Sequence, residues 1–310
     1  MRPNPLVSVI VPNYNHARYL EQRLDTVFNQ TYQNFEVIIL DDKSTDNSLE
    51  VIQRYKDNPH LSQIVVNEQN TGSPFKQWDK GINLAKGELI WIAESDDYNE
   101  LTFLEELIKE WGKHKDVVVA FSNCVKVDEN NNLIAKVKER KNRCFKGESF
   151  IKKRLSRYCA ISSASCTVFK RETALQVPKK YLTFKNTGDY QFWSDLVSLG
   201  NIAVIRKNLV YWRQSVSSVT GKHLSSGKTA IEDKIVYDNI VEKYALGYLE
   251  RGIANVYHYD VYQKSNYESE QIRQMILSSW DIDSYKLLYF LRKIIMWFVP
   301  RLENYLGILL

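Results

Sequence analysis

Along the first hundred residues, short apolar runs keep giving way to helix-spaced segments, a rhythm that few folds satisfy. Val7-Ser8-Val9-Ile10-Val11 stops at Pro12, and Leu20, Leu24, Val27 and Phe28 then recur at helical spacing across Ala17 to Asn29. Phe35 to Leu40 ends in Asp41-Asp42, followed by Ser44-Thr45-Asp46 as start signals for a helix whose buried stripe holds Leu49, Ile52 and Tyr55. Gln63 to Val66 leads through a loop with Gly72 to a helix after Pro74, and then to a strand that ends at Glu94. Strands alternating with helices predict a parallel α/β sheet whose ligands sit just beyond the carboxyl ends of the strands. Tyr14, Asp41, Asp42, Asp96 and Asp97 all fall at such ends, where one crevice collects them.

The run Leu89-Ile90-Trp91-Ile92-Ala93 closes on Glu94-Ser95-Asp96-Asp97, three carboxylates within four residues. Like charges so close repel, and a divalent cation with oxygen ligands, Mg²⁺ or Mn²⁺ shared with substrate phosphates, holds them together. The alternative is a solvated acidic turn ahead of a helix beginning near Leu101, with Asp96 or Asp97 as its N-terminal anion. Neither a GxGxxG nor a GxxxxGK[ST] pattern follows the first strand, which argues against a dinucleotide dehydrogenase or a P-loop nucleotidase. An aromatic ring, an early carboxylate pair and a later acidic cluster along one sheet edge suit a nucleoside diphosphate.

With these residues in view, the sequence resembles the inverting family 2 glycosyltransferases, which have a GT-A fold. The matching text is Val7 to Asn15 with Tyr19-Leu20, Asp41-Asp42-Lys43-Ser44-Thr45-Asp46, Asn70-Thr71-Gly72, Gly81 to Gly87, and Ser95-Asp96-Asp97. The resemblance implies that Pro12 and Tyr14 flank the nucleobase, that Asp41 and Asp42 contact base and ribose, and that Asp96 and Asp97 bind ribose and metal. Many members have Asp where Glu94 stands. Further on, Thr187-Gly188-Asp189-Tyr190-Gln191-Phe192-Trp193 matches the segment that carries the family's catalytic base, which makes Asp189 that base. An inverting transfer needs such a carboxylate to take the acceptor proton, an assistance worth about 10² to 10⁴ in rate. The alternative use of Asp189 is to cap the helix holding Phe192, Trp193, Leu196 and Leu199.

Two departures stand out. Gly188 occupies a position that is often acidic, and Ser215 of Tyr211-Trp212-Arg213-Gln214-Ser215 takes the place of a His that can ligate metal or touch the diphosphate. Water can replace that His, since Mg²⁺ commonly keeps several waters. Arg213 and Lys76 are candidate donors to the diphosphate, against the alternative of surface ion pairs. Trp78, Trp193 and Trp212 offer either sugar-stacking faces or core packing.

The chain has 310 residues, 44% of them hydrophobic and 25% charged, enough for one sizeable core with an appended part. Cys124, Cys144, Cys159 and Cys166 lack CxxC spacing, so free thiols are expected. Met1-Arg2-Pro3-Asn4-Pro5 leads directly into a strand without the signature of a signal peptide, which places the protein in the cytoplasm, or peripherally on the inner face of the cell membrane. Within a net charge of +5, Lys138, Arg140, Lys141, Arg143, Lys146, Lys152, Lys153, Arg154 and Arg157 gather in one stretch. It suits an anionic membrane or a phosphate-bearing acceptor, or else a solvated loop; no nucleic-acid motif accompanies it.

From about Gly221 the chain becomes rich in Tyr and in helical spacing, as in Ile231, Ile235, Ile240, Val241 and Tyr244. Leu287 to Pro300 is apolar apart from Arg292 and Lys293, too short to span a bilayer. With Arg301 and Leu306 to Leu310 it either packs, on the catalytic domain or a second subunit as a homodimer, or lies in a membrane interface. The expected organisation is a GT-A catalytic domain over 1–220, with a nucleotide-sugar half to about 100 and an acceptor half after it, and a helical extension over 221–310. The expected activity is metal-dependent inverting transfer from a nucleotide sugar, UDP-linked, to a hydroxyl of a glycan or lipid-linked glycan. The alternatives are a non-catalytic nucleotide-sugar or glycan binding protein, and a sugar-phosphate nucleotidyltransferase, which would need a Gly-rich basic loop where Pro12-Asn13-Tyr14-Asn15 stands.

Overall fold

The computed structural model describes residues 4–136, 141–214 and 225–298. Contacts divide the chain into two units, 1–147 with 161–216, and 148–160 with 217–310. The basic segment expected in the acceptor half is thus split, and 148–160 groups with the C-terminal helices. Lys138, Arg140, Ser215, Gly221, Arg301 and Leu306 to Leu310 lie outside the described residues.

The first unit is a mixed α/β fold. Its opening half contains β1 (Val7–Asn13), α1 (Ala17–Phe28), β2 (Phe35–Asp41), α2 (Ser48–Gln53), β3 (Leu61–Val66), α3 (Pro74–Leu84) and β4 (Leu89–Ile92). There follow β5 (Tyr98–Asn99), α4 (Phe103–Trp111), β6 (Val117–Val127), β7 (Leu133–Lys136) and β8 (Arg143–Lys146); α5 (Gly147–Phe150) leads the chain into the second unit, and the first resumes with β9 (Thr167–Lys170), α6 (Arg171–Ala174), α7 (Gly188–Val197) and β10 (Asn201–Arg213). The sheet runs β3-β2-β1-β4-β9-β6-β10-β5, with β7 on β6 and β8 on β10. β1 to β4 pair parallel, as the strand-helix rhythm predicts. β9 enters antiparallel to both β4 and β6, so the sheet as a whole is mixed.

Alternation along β1 explains the layering. Val7, Val9 and Val11 share a core with Leu20, Leu24 and Val27 of α1 and with Phe103 and Leu107 of α4. Ile10 points to the opposite face, where α3 approaches so closely that a Cβ at Gly81 would lie 2.4 Å from Ile10 Cγ2. Glycine there is what lets the helix lie against the strand.

Pro12 has a specific consequence for the site. The Ile10 carbonyl accepts from Ala93 N–H at 2.8 Å, so Pro12, two residues on, faces β4 with no N–H to offer. Pairing of β1 with β4 ends at Ile10 and Ile92, and the chain after Ala93 leaves the sheet as the acidic loop. On its other side β1 stays paired with β2 to Asn13 and Asp41.

The second unit holds a π-helical turn, Ile151–Leu155, and α8 (Lys228–Tyr244), α9 (Tyr248–Gln263), α10 (Glu270–Ser278) and α11 (Lys286–Phe298). Its core is aromatic, with His258 stacked on Trp280 at 4.2 Å and Tyr237 beside both. Among the described residues no helix is long and apolar enough to cross a membrane.

Candidate functional site

Two loops at the carboxyl ends of β1 and β2 are laced to each other. Asp41 accepts from Ser44 N at 2.8 Å, Ser44 Oγ at 2.6 Å and Asn13 Nδ2 at 2.8 Å. Asp42 accepts from Asn67 Nδ2, Gln77 Nε2, and the main-chain N–H and hydroxyl of Thr71. Both carboxylates are buried, and these donors satisfy their oxygens away from water. The pair therefore binds β1, β2, the loop after β3 and α3 into one platform. Tyr14 projects from that platform with 44% of its surface exposed, and Asn15 takes a left-handed φ of 55°.

The acidic loop rests on a buried cation. Arg23 of α1 donates from Nε to the Glu94 carbonyl at 2.8 Å, from Nη1 to Asn99 Oδ1 at 2.5 Å and from Nη2 to Ser165 Oγ at 3.3 Å. Burial lowers its pKa to about 10, opposed by the charges of Asp97, Asp96 and Glu94. No motif announces Arg23. Its sole signature in the sequence is a cation inside the apolar stripe Leu20, Leu24, Val27, a position that demands a partner. Ser163 and Ser165, on the turn before β9, complete the support: Ser163 Oγ donates to Asp97 at 2.8 Å, and Ser165 Oγ accepts from Glu94 N–H at 3.0 Å.

The three carboxylates have different surroundings. Glu94 accepts from Trp78 Nε1 at 2.8 Å, and burial followed by the charges of Asp96 and Asp97 raises its pKa to about 8. Asp97 is 2% exposed and accepts from Ser163 and from Arg213 N–H at 2.9 Å; burial, then Asp96, raises it to about 6. Asp96 is half-buried, and among the described residues no donor engages its carboxylate. Ser95 Oγ lies 2.7 Å from His16 Nδ1, at the start of α1.

Arg213 is buried, so the surface ion pair considered for it does not occur. Its guanidinium donates to the carbonyls of Asp96, Asp128 and Glu129 and to Gln22 Oε1, and lies over the rings of Tyr19 and Tyr98. It holds the acidic loop through the Asp96 carbonyl, as Arg23 does through that of Glu94. Lys76, in contrast, is exposed in the first turn of α3, its Nζ 3.5 Å from the Thr71 carbonyl.

Asp189 stands half-buried in the first turn of α7, beside α3. The two helices meet through Trp78, whose ring lies 5.8 Å from that of Phe192 and 5.9 Å from that of Trp193. Trp78 thus carries Glu94 on its indole N–H and α7 on its ring. Trp78 and Trp193 are both buried, which gives them to the core and leaves neither face for a sugar. Gly188 has a steric reason: a Cβ there would lie 2.6 Å from the Phe75 ring and 2.6 Å from the Tyr181 carbonyl, so no acidic side chain fits.

Among the described residues no three His, Cys, Asp or Glu side chains form a ready-made metal cage. The loop nevertheless suits Mg²⁺ or Mn²⁺. Asp96 has no donor among the described residues, the charges of Asp96 and its neighbours repel, and Mg²⁺ sites of this kind use one or two carboxylates completed by water and substrate phosphate.

Comparison with known proteins places this geometry. The model for "Glycosyl transferase family 2" matches residues 8–175, more than half of the chain, from β1 through the acidic loop to the residues after α6. The chain belongs to glycosyl transferase family 2. Among family relatives, glycosyltransferase GlyG of Streptococcus pneumoniae is 36% identical over 126 residues, 41% of each chain. A hyaluronan synthase of Pasteurella multocida is 36% identical over 132 residues, 42% of this chain and 13% of that one. The matches thus span well under two thirds of these relatives' own lengths. S. aureus TarS 1-349, solved in complex with UDP-GlcNAc, superimposes with a TM-score of 0.62 at 18% identity, covering 93% of this chain and 91% of that one. The fold is the GT-A type with C-terminal helices.

Proposed function

We propose that this family 2 protein is a metal-dependent inverting glycosyltransferase that moves a sugar from a UDP-linked donor to a hydroxyl of a glycan or lipid-linked glycan in cell-surface polysaccharide synthesis. The observation that carries it is the half-buried Asp96 carboxylate at the carboxyl end of the sheet, which no donor among the described residues engages while Glu94 and Asp97 are engaged on either side. A hyaluronan synthase, a poly(ribitol-phosphate) beta-glucosyltransferase of Bacillus spizizenii and the UDP-GlcNAc complex of TarS support the donor and acceptor classes.

In this reading Tyr14 stacks on the base beside Pro12, and Asp41 and Asp42 build the platform that seats the nucleoside. Asp96 and Asp97 would hold Mn²⁺ or Mg²⁺, which would offset the charge of the diphosphate. Lys76 reaches the same diphosphate from α3, and Arg213 acts by fixing the loop. Asp189 takes the proton of the acceptor hydroxyl as its oxygen forms the new bond to the anomeric carbon and the bond to the diphosphate breaks on the opposite face.

Turnover with a panel of nucleotide sugars and Mn²⁺ or Mg²⁺ tests this reading. Asp189→Asn lowers turnover at least about a hundredfold and leaves donor affinity nearly intact. Unchanged turnover rejects Asp189 as the base. Donor binding with no metal-dependent release of nucleotide from any pair points instead to a non-catalytic binding protein.

A further inference from the structure

The outermost helix of the second unit is amphipathic in an inverted sense. On α11, Leu288 packs against Gly252, where a Cβ would lie 2.5 Å from Leu288 Cδ1. On the same side Tyr289 Oη donates to Gln263 at 3.2 Å and Arg292 bonds Asp260 at 3.3 Å. These three residues define the inward face. The opposite face carries Leu287, 70% exposed, Phe290, 60% exposed, and Leu291, spaced as one helical stripe that no described residue covers. At the start of α9, Tyr248 and Leu249 are also exposed. The Tyr248 ring lies 4.9 Å from Tyr285, and its hydroxyl donates to the Ser284 carbonyl.

The exposed cations on and beside this helix are Lys264, Lys286 and Lys293, with Asp260 and Asp283 as their paired carboxylates. Lys264, Arg292 and Lys293 share the single carboxylate of Asp260. By helical position Lys286 and Lys293 flank the stripe on the side away from Arg292. A second copy of the chain would bring such a rim against its own like charge, whereas an anionic bilayer meets both the apolar stripe and its cationic border.

We propose that α11 and the start of α9 form a docking surface for an anionic phospholipid bilayer, Leu287 and Phe290 entering the acyl boundary while the basic residues lie at the level of the phosphates. The inference is independent of the chemistry at Asp96 and is read by binding alone, so its failure leaves the transferase reading intact.

The test is flotation of the full chain with phosphatidylcholine vesicles, with and without phosphatidylglycerol. The wild type floats with the anionic vesicles and not with the neutral ones, and added salt weakens the binding. The double substitution Leu287→Ser with Phe290→Ser, both at exposed positions, lowers apparent affinity at least about tenfold. Lys286→Gln with Lys293→Gln, both at exposed positions, also lowers it. Equal flotation of wild type and the Leu287 and Phe290 double variant overturns the proposal. So does a wild-type dimer that the double variant abolishes with no vesicle binding by either, as does saturable binding of inorganic phosphate without flotation.

Discussion

Arg23 Nε lies 2.8 Å from the carbonyl of Glu94, which makes a buried guanidinium on α1 the support of the loop that ends β4. The same side chain reaches Asn99 and Ser165, so three chain segments converge on one positive charge. The carboxylates above can stay close together because that charge lies beneath them.

Arg23→Leu therefore strands the Glu94 carbonyl and Asn99 Oδ1 and removes the countercharge below Asp96 and Asp97. Loss of one partner from a buried charged network costs about 3 to 5 kcal/mol. Urea unfolding should show that loss, with Arg23→Lys recovering part of it, since an ammonium keeps the charge but not the three-way fork. A variant as stable as wild type would assign the loop's support elsewhere.

Glu94 links the loop to pH. Its pKa is raised to about 8, first by burial and then by Asp96 and Asp97, so in the metal-free protein it binds a proton more tightly than the unfolded chain does. Its stabilising contribution is complete below its ordinary value of 4.5 and is lost as pH rises through 8. Cation binding runs the other way, because deprotonation adds negative charge to the loop. Mn²⁺ affinity measured by calorimetry should rise across this interval, and Glu94→Gln should flatten the part above the pKa of Asp97, which titrates near 6. Equal pH dependence in both proteins would remove Glu94 from the cation's field.

Gly188 sets how closely α7 approaches α3. In Gly188→Ala the new methyl group meets the Phe75 ring and the Tyr181 carbonyl at 2.6 Å. Overpacking of this kind costs about 1 to 3 kcal/mol. Phe75→Leu in the same chain should recover only part of it, because the carbonyl belongs to the main chain. Thermal unfolding of the single and double variants measures the coupling, and additive effects would contradict the contact.

The rhythm of strands and helices in the first hundred residues is visible in the sequence because each element buries one face, and period 2 or 3.6 shows which. The positions of Asp41, Asp42, Asp96 and Asp97 at strand ends follow from the same reasoning. Their individual environments do not. Whether a carboxylate is saturated like Asp42 or open like Asp96 depends on donors far away in the chain, such as Ser163, 66 residues from Asp97. Arg213 illustrates the same limit: a cation near the end of a strand suits a phosphate, yet its bonds go to Gln22, 191 residues away, and to main-chain carbonyls. The grouping of 148–160 with the C-terminal helices also rests on long-range contacts, which local patterning does not encode.

The second unit should respond to acid through His258. Its ring is 3% exposed, stacked on Trp280, and its Nε2 has no partner. Burial lowers its pKa from 6.5 to about 3, with the bond to the Ser156 main chain opposing and the Lys234 charge assisting. As pH falls below 6.5 the unfolded chain takes up a proton that the folded unit refuses, so stability present at neutral pH is lost progressively towards pH 3. By about pH 5 the loss amounts to about 2 kcal/mol, from 1.36 kcal/mol per unit of separation. His258→Phe keeps a flat ring against Trp280 and cannot titrate, so its urea midpoint should fall less than that of the wild type between pH 7 and 5. Parallel decline in the two proteins would show that acid acts through another group.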